Sequence, residues 1–145
     1  MVGQLEIEFT GHSRARPETL MLLMKNWHDL PEYWHGMRQI TDVGGGMYSV
    51  RFAFPAEGKM SYIWDRENMK CTENYHSGPF TGYKTVKFIG RDQGTDVLVR
   101  WDIKLSLRLI LMKRFIRRHF LEGTENAITR LDAAALKKEK APISA

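Results

Sequence analysis

The chain has 145 residues, 43% of them hydrophobic, with a net charge of +5. That size and composition suit one globular domain and exclude a disordered chain, and no apolar run approaches the ~20 residues of a membrane-spanning helix. The lone Cys71 excludes an internal disulfide and points to a reducing cytoplasm, while the modest positive charge permits an anionic partner without demanding one.

Leu5, Ile7 and Phe9 alternate with Glu6, Glu8 and Thr10. This period-two pattern predicts a strand with one buried face, and a charged alternating start reads as a strand and not as a signal peptide. Pro17 sits where a helix can begin, because its missing N–H is not needed in the first turn, and Glu18 suits the positive end of that helix. Leu20, Met21, Leu23, Met24 and Trp27 continue the helical pattern. Asp29-Leu-Pro-Glu32 has capping-box spacing, which predicts a second short helix through Tyr33 and Trp34.

Strands follow. Residues 39–43 and 47–54 flank Gly44-Gly45-Gly46, a hairpin turn in which glycine takes positive φ freely. Tyr48, Val50, Phe52 and Phe54 share one face. Ala56-Glu57-Gly58 reads as the next turn, and Met60, Tyr62 and Trp64 share a face of the fourth strand. Residues 69–76 form a fifth strand, closed by Ser77-Gly78-Pro79. Residues 82–90 form a sixth, with Val86 and Phe88 inward. The seventh, 95–107, places Val97, Val99, Trp101, Ile103, Leu105 and Leu107 on one face. It runs into a helix over 108–136, with Leu109, Met112, Ile116, Phe120, Gly123, Ala127, Leu131 and Ala134 as its stripe. Residues 137–145 read as a flexible polar tail.

This order resembles the helix-grip fold of the START-like superfamily, also called SRPBCC. The resemblance spans nearly the whole chain. It is carried by Thr95-Asp-Val-Leu-Val-Arg-Trp-Asp-Ile-Lys-Leu leading to the helix that ends Glu122-Gly-Thr-Glu-Asn-Ala-Ile-Thr-Arg-Leu, by Arg16-Pro-Glu-Thr-Leu and by Trp27-His-Asp-Leu-Pro-Glu-Tyr-Trp-His. It implies an α+β fold: a curved antiparallel sheet of about seven strands wrapped on a long C-terminal helix, with two short helices after the first strand. One domain over 1–136 is expected, with a cavity between sheet and helix. Members bind lipids, sterols, quinones and polyketides, and a minority catalyse cyclisation or dehydration, so the fold does not assign one function. The triple glycine resembles the glycine-rich loop of the birch-pollen allergen family in place only. It opens no helix and reads as a turn and not as a phosphate cradle.

Alternation turns Tyr62, Trp64, Tyr75 and Trp101 towards the long helix, from which Phe115, His119 and Phe120 look back. Trp27, Tyr33 and Trp34 close one end. These side chains are expected to line an apolar ligand cavity, the plain alternative being that they fill the core. Glu73 shares a face with Cys71 and Tyr75, so it points inward. A buried carboxylate is costly unless paired or protonated, which makes it a ligand anchor or a general acid/base; otherwise a strand twist exposes it, or Arg51 or Lys87 pairs with it. His119, at the edge of the helix stripe, is a second proton-transfer candidate. Asn126 and Arg130 flank the same stripe, while Asp65 and Asp102 fall on outward faces. The five histidines, His12, His28, His35, His76 and His119, have no paired zinc-type spacing, so no metal is expected, and no motif calls for a cofactor.

The favoured function is binding or carriage of a hydrophobic small molecule: a lipid, a quinone or a polyketide-like compound. The alternative is a cyclase or dehydratase in which Glu73 or His119 moves protons and Tyr62 or Tyr75 polarises a carbonyl. A third reading is an interaction module. Arg114, Arg117 and Arg118 lie opposite the apolar stripe, where they can touch an anionic membrane surface transiently. Nucleic acid is disfavoured, because the aromatic face of the sheet is the one the helix covers.

Overall fold

A computed structural model describes residues 2–54 and 56–141. Strand β1 (Gln4–Ser13) leads into helix α1 (Pro17–Met24), a 3₁₀ turn (Trp27–Asp29) and the one-turn helix α2 (Leu30–Tyr33). Six strands follow: β2 (Met37–Gly44), β3 (Met47–Phe52), β4 (Glu57–Asp65), β5 (Lys70–Ser77), β6 (Phe80–Arg91) and β7 (Gly94–Leu105). A 3₁₀ segment (Leu107–Met112) then enters helix α3 (Lys113–Lys140). The seven strands form one antiparallel sheet in the order β1-β7-β6-β5-β4-β3-β2. Only the β1–β7 pairing is non-consecutive, so the chain returns beside its own start after a meander. This is the α+β helix-grip architecture that the resemblance implies.

The inward faces follow the period of two. Val97, Val99, Trp101, Ile103 and Leu105 of β7 are all buried, as are Leu5 and Ile7 of β1, and Val86 and Phe88 of β6. Gly44, Gly45 and Gly46 all have positive φ (88°, 63° and 76°) and make the β2–β3 hairpin turn. Gly82 has φ +123°, and a Cβ there would lie 2.2 Å from the carbonyl oxygen of Asp102. The missing side chain lets β6 lie close against β7 between Phe80 and Lys84.

Several boundaries differ from expectation. Leu107 lies beyond β7 and is 87% exposed, so it does not extend the inward face. The segment before α3 is apolar at every position but Arg108 and carries no helical stripe. It tightens into a 3₁₀ turn that starts with Leu109 N–H donating to the Ser106 carbonyl at 2.9 Å, and none of its residues is buried. At the other end α3 continues to Lys140, four residues into the expected tail, with Lys137, Lys138 and Lys140 suiting the negative end of the helix. Residues 142–145 of that tail lie outside the described residues. Gly58 belongs to β4 and not to the preceding turn. Asp29 does stand at the start of α2, but its side chain makes no capping hydrogen bond, so the capping box does not form.

Helix α3 is seated by its C-terminal half. Thr124, Ala127, Ile128, Leu131 and Ala135 are its buried residues, and none precedes Thr124. That half packs on β1 and α1. Asp132 fastens it further, accepting from Ser13 Oγ at 2.7 Å and from the Arg14 N–H at 2.8 Å. Among the described residues, no helix is long and apolar enough to cross a membrane.

Candidate functional site

Between the N-terminal half of α3 and the sheet lie two hollows. An inner recess of about 70 Å³ is lined by aromatic residues that include Trp34, Phe52, Tyr75, Phe80, Trp101 and Phe120. An outer groove of about 780 Å³ lies beside it, between the 3₁₀ segment, α3 and residues that include Phe54, Ala56, Gly78 and Pro79. Ala53, Phe54, Phe80, His119 and Phe120 border both, so recess and groove adjoin along a shared wall.

The recess walls are held by ring contacts. Trp101 lies 4.7 Å from Phe120 and 6.4 Å from Phe80, centroid to centroid, while Tyr75 lies 4.8 Å from Phe80 at an edge-on angle. Trp101 Nε1 donates to Thr124 Oγ1 at 3.0 Å, which ties the sheet to α3 where the helix begins to be buried.

The strand register builds the polar part of the site. Tyr62, Glu73, Lys84, Trp101 and Ile7 are successive partners across β4, β5, β6, β7 and β1. Glu73 is buried, as its alternation requires, and its partner is the directly opposite Lys84, with Nζ 2.7 Å from Oε2. Neither Arg51 nor Lys87 serves; both are exposed. The Tyr75 hydroxyl donates to Glu73 Oε1. Both carboxylate oxygens are therefore engaged, and Lys84, not Glu73, borders the recess. The Lys84 ammonium sits 3.6 Å from the Trp34 ring centroid and 5.0 Å from that of Trp101, a cation–π box. Burial presses the Lys84 pKa below its usual value, and the Glu73 charge opposes that. Burial, then the same charge, holds the Tyr75 hydroxyl well above the usual tyrosine range.

Lys84 was missed by sequence reasoning, although a signal existed: it stands two residues before Val86 and four before Phe88, on their inward face. Phe52, Phe54 and Phe80 were likewise not singled out, although Phe52 and Phe54 stand in a pattern read as one strand face.

The other expected lining residues divide. Trp34, Tyr75, Trp101 and Phe120 border the recess, and Phe115 borders the groove. Phe115 does not look inward as expected; it is 62% exposed and stacks beside His119, which is also exposed and stands at the junction of recess and groove. Tyr62 and Trp64 do not face α3. The Tyr62 hydroxyl donates to the Met24 carbonyl at 2.6 Å, and Trp64 Nε1 donates to the Met21 carbonyl at 2.7 Å. The last carbonyls of a helix lack internal partners, and these two side chains supply them for α1. Trp27 stacks on His28 at 3.7 Å and packs near Tyr48, away from the hollow. Tyr33 is buried beside α3, and its carbonyl accepts from Arg130 Nη1 at 2.9 Å, so Arg130 serves to join α2 to α3. Asn126 is exposed. Asp102 sits in an outer-face network with Gln4 and Tyr83, and Asp65 holds the Asn68 turn. Among the described residues, no cluster of three or more His, Cys, Asp or Glu side chains is placed to hold a metal ion.

No known sequence family matches the chain, and no curated protein matches it by sequence. Solved structures do match. A START superfamily protein from Mycobacterium smegmatis superposes with a TM-score of 0.74 at 11% identity, over 91% of this chain and 97% of the other. The Zhui aromatase/cyclase from Streptomyces sp. R1128 gives 0.75 at 10% identity, over 98% and 99%. A norcoclaurine synthase from Thalictrum, in complex with a transition-state analogue, gives 0.70 at 15% identity, over 94% and 97%. At these identities the likeness establishes the fold: the chain has the START-like helix-grip fold.

Proposed function

We propose that this helix-grip protein binds and carries a hydrophobic small molecule, such as a lipid, a quinone or a polyketide-like compound. The observation that carries this reading is the pair of adjoining hollows under the N-terminal half of α3, walled by aromatic residues and open to the surface. The affinity would come from apolar burial, at about 25 cal/mol per Å². The mouth supports a loading surface. Leu107, Leu111 and Phe115 are exposed there, and residues 107–118 hold five cations (Arg108, Lys113, Arg114, Arg117 and Arg118) and no acid. Apolar side chains among cations suit transient contact with an anionic membrane. A cytoplasmic setting fits the buried Cys71, whose thiol burial pushes up to about 11, leaving it unreactive.

Native mass spectrometry of freshly purified protein, followed by solvent extraction, tests the reading. A stoichiometric hydrophobic adduct is the expected result. A clean mass together with no binding of added quinones, acyl chains or aromatic polyketide analogues would sink it.

A second reading, a cyclase or dehydratase, is favoured by one feature: a buried Glu73–Lys84–Tyr75 cluster at the floor of the hollow. In that reading Lys84 would polarise a carbonyl and Glu73 would exchange a proton with it, with His119 at the entrance. Turnover of a polyketide-like substrate that is abolished in Lys84→Met would establish it. Binding without turnover leaves the carrier.

A further inference from the structure

We propose that the recess selects its ligand by an uncharged carbonyl group, which accepts from Lys84 Nζ and the Trp34 indole N–H while the apolar remainder lies in the outer groove; this rests on the carrier reading above. Lys84 and Trp34 both border the recess, the ammonium standing over the Trp34 ring. Trp34 is 5% exposed, and its Nε1 has no acceptor among the described residues. The Lys84 ammonium lies 2.7 Å from Glu73 Oε2 and has no further hydrogen-bond partner among the described residues. An ammonium has three donors and an indole one, with no acceptor on either. Buried donors of this kind are rarely left without a partner.

The remaining chemistry narrows what the partner is. The Tyr75 and Trp101 hydrogens are already engaged, with Glu73 and Thr124. A hydroxyl could accept from Lys84 or Trp34, but its own hydrogen would lack an acceptor beside them, which is costly in an aromatic recess. A carboxylate would need a net positive charge, and the Lys84 charge is already matched by Glu73 at 2.7 Å. A ketone, aldehyde, quinone or ester oxygen accepts and asks for nothing else. The recess, about 70 Å³ in volume, has room for roughly five waters, enough for a carbonyl and its neighbouring carbons, so the longer part of a ligand must occupy the groove.

The test uses four probes of matched length: methyl nonyl ketone, the corresponding secondary alcohol, undecanoate and undecane. Each competes with a bound fluorescent apolar dye, and the Trp34 indole N–H resonance, identified by its loss in Trp34→Phe, is followed by NMR. The ketone is expected to bind about tenfold more tightly than undecane or the alcohol, with undecanoate weaker than the ketone. Only the ketone should move the Trp34 resonance downfield. Trp34→Phe should flatten the preference, and so should the paired variant Glu73→Gln/Lys84→Met, which avoids leaving one buried charge alone. Equal binding of all four probes with an unmoved Trp34 resonance would show that the donors face only water; the carbonyl inference would fall and the carrier would stand. Tightest binding of undecanoate would overturn it in favour of an anion site. Failure of every probe to displace the dye would count against the carrier reading itself.

Discussion

The two halves of α3 do different work from one continuous helix. From Thr124 onward small and aliphatic side chains lie against β1 and α1, and the helix is seated. Before Thr124 the same helix carries Phe115, Ile116, His119 and Phe120 over a gap, and its outer face is basic. The difference lies in side-chain size. Ala127, Leu131 and Ala135 let the helix approach the sheet, whereas Phe120 meets Trp101 and Phe80 and props the helix away from it. One half supplies stability, and the other supplies the space in which a ligand can sit.

The largest expected effect separates the halves directly. Leu131→Ala should cost about 2–5 kcal/mol in urea denaturation, as a fully buried leucine leaves a cavity. Phe115→Ala, on the half-helix that bridges the hollow, should stay within about 0.5 kcal/mol. Equal losses would mean that both halves are seated. Next, Glu73→Gln should cost about 3 kcal/mol by stranding the Lys84 cation. Its pH profile has a sign. The folded pKa of Lys84 lies below its ordinary 10.5, so the unfolded chain holds that proton more tightly and stability rises with pH between the two values. Losing the Glu73 charge deepens the shift and starts the rise at lower pH. From about 9 the rise is opposed by Cys71, and above about 10 the slope should turn down, because Cys71, Tyr62 and Tyr75, all raised by burial, ionise first in the unfolded chain. Urea titrations across pH 7–11 would show the rise, and a flat profile would contradict it.

Thr124→Val tests the boundary between the halves. It strands the Trp101 indole N–H and should cost about 1–2 kcal/mol. It should also broaden the recess-wall resonances more than those of the seated half. The smallest effect on the fold belongs to the surface. Arg114→Gln with Arg118→Gln should leave the denaturation midpoint unchanged while weakening binding to anionic phosphatidylglycerol vesicles by roughly 30-fold, at about 1 kcal/mol per arginine. Unchanged vesicle binding would remove the membrane from the loading step.

The site was less legible in the sequence than the fold, and particular residues show why. Period-two alternation marked most of the strands, because burying one face of a sheet forces that period, while β2, whose burial does not alternate, was marked by the glycine turn after it. It also placed Glu73 inward. Lys84 obeyed the same alternation but was passed over, since a charge at an inward position becomes intelligible only when its partner is known. The partner depends on register: Glu73 and Lys84 face each other across β5 and β6, a pairing that no local pattern encodes. Tyr62 and Trp64 were assigned to the right face and the wrong neighbour. A sheet face long enough to serve both α1 and α3 does not say which helix covers which end, and the free carbonyls of Met21 and Met24 claimed both rings.

The sequence by itself determined the strands, the main helices, their order and the face that most strands bury, because these depend on hydrophobic period, on glycine turns and on proline at a helix start. Only the tertiary structure decided that α3 is seated at one end and raised at the other, that a lysine stands at the floor of the gap, and that its charge is matched. Those outcomes depend on side-chain volumes and strand registers meeting across distances in sequence that local periodicity does not span.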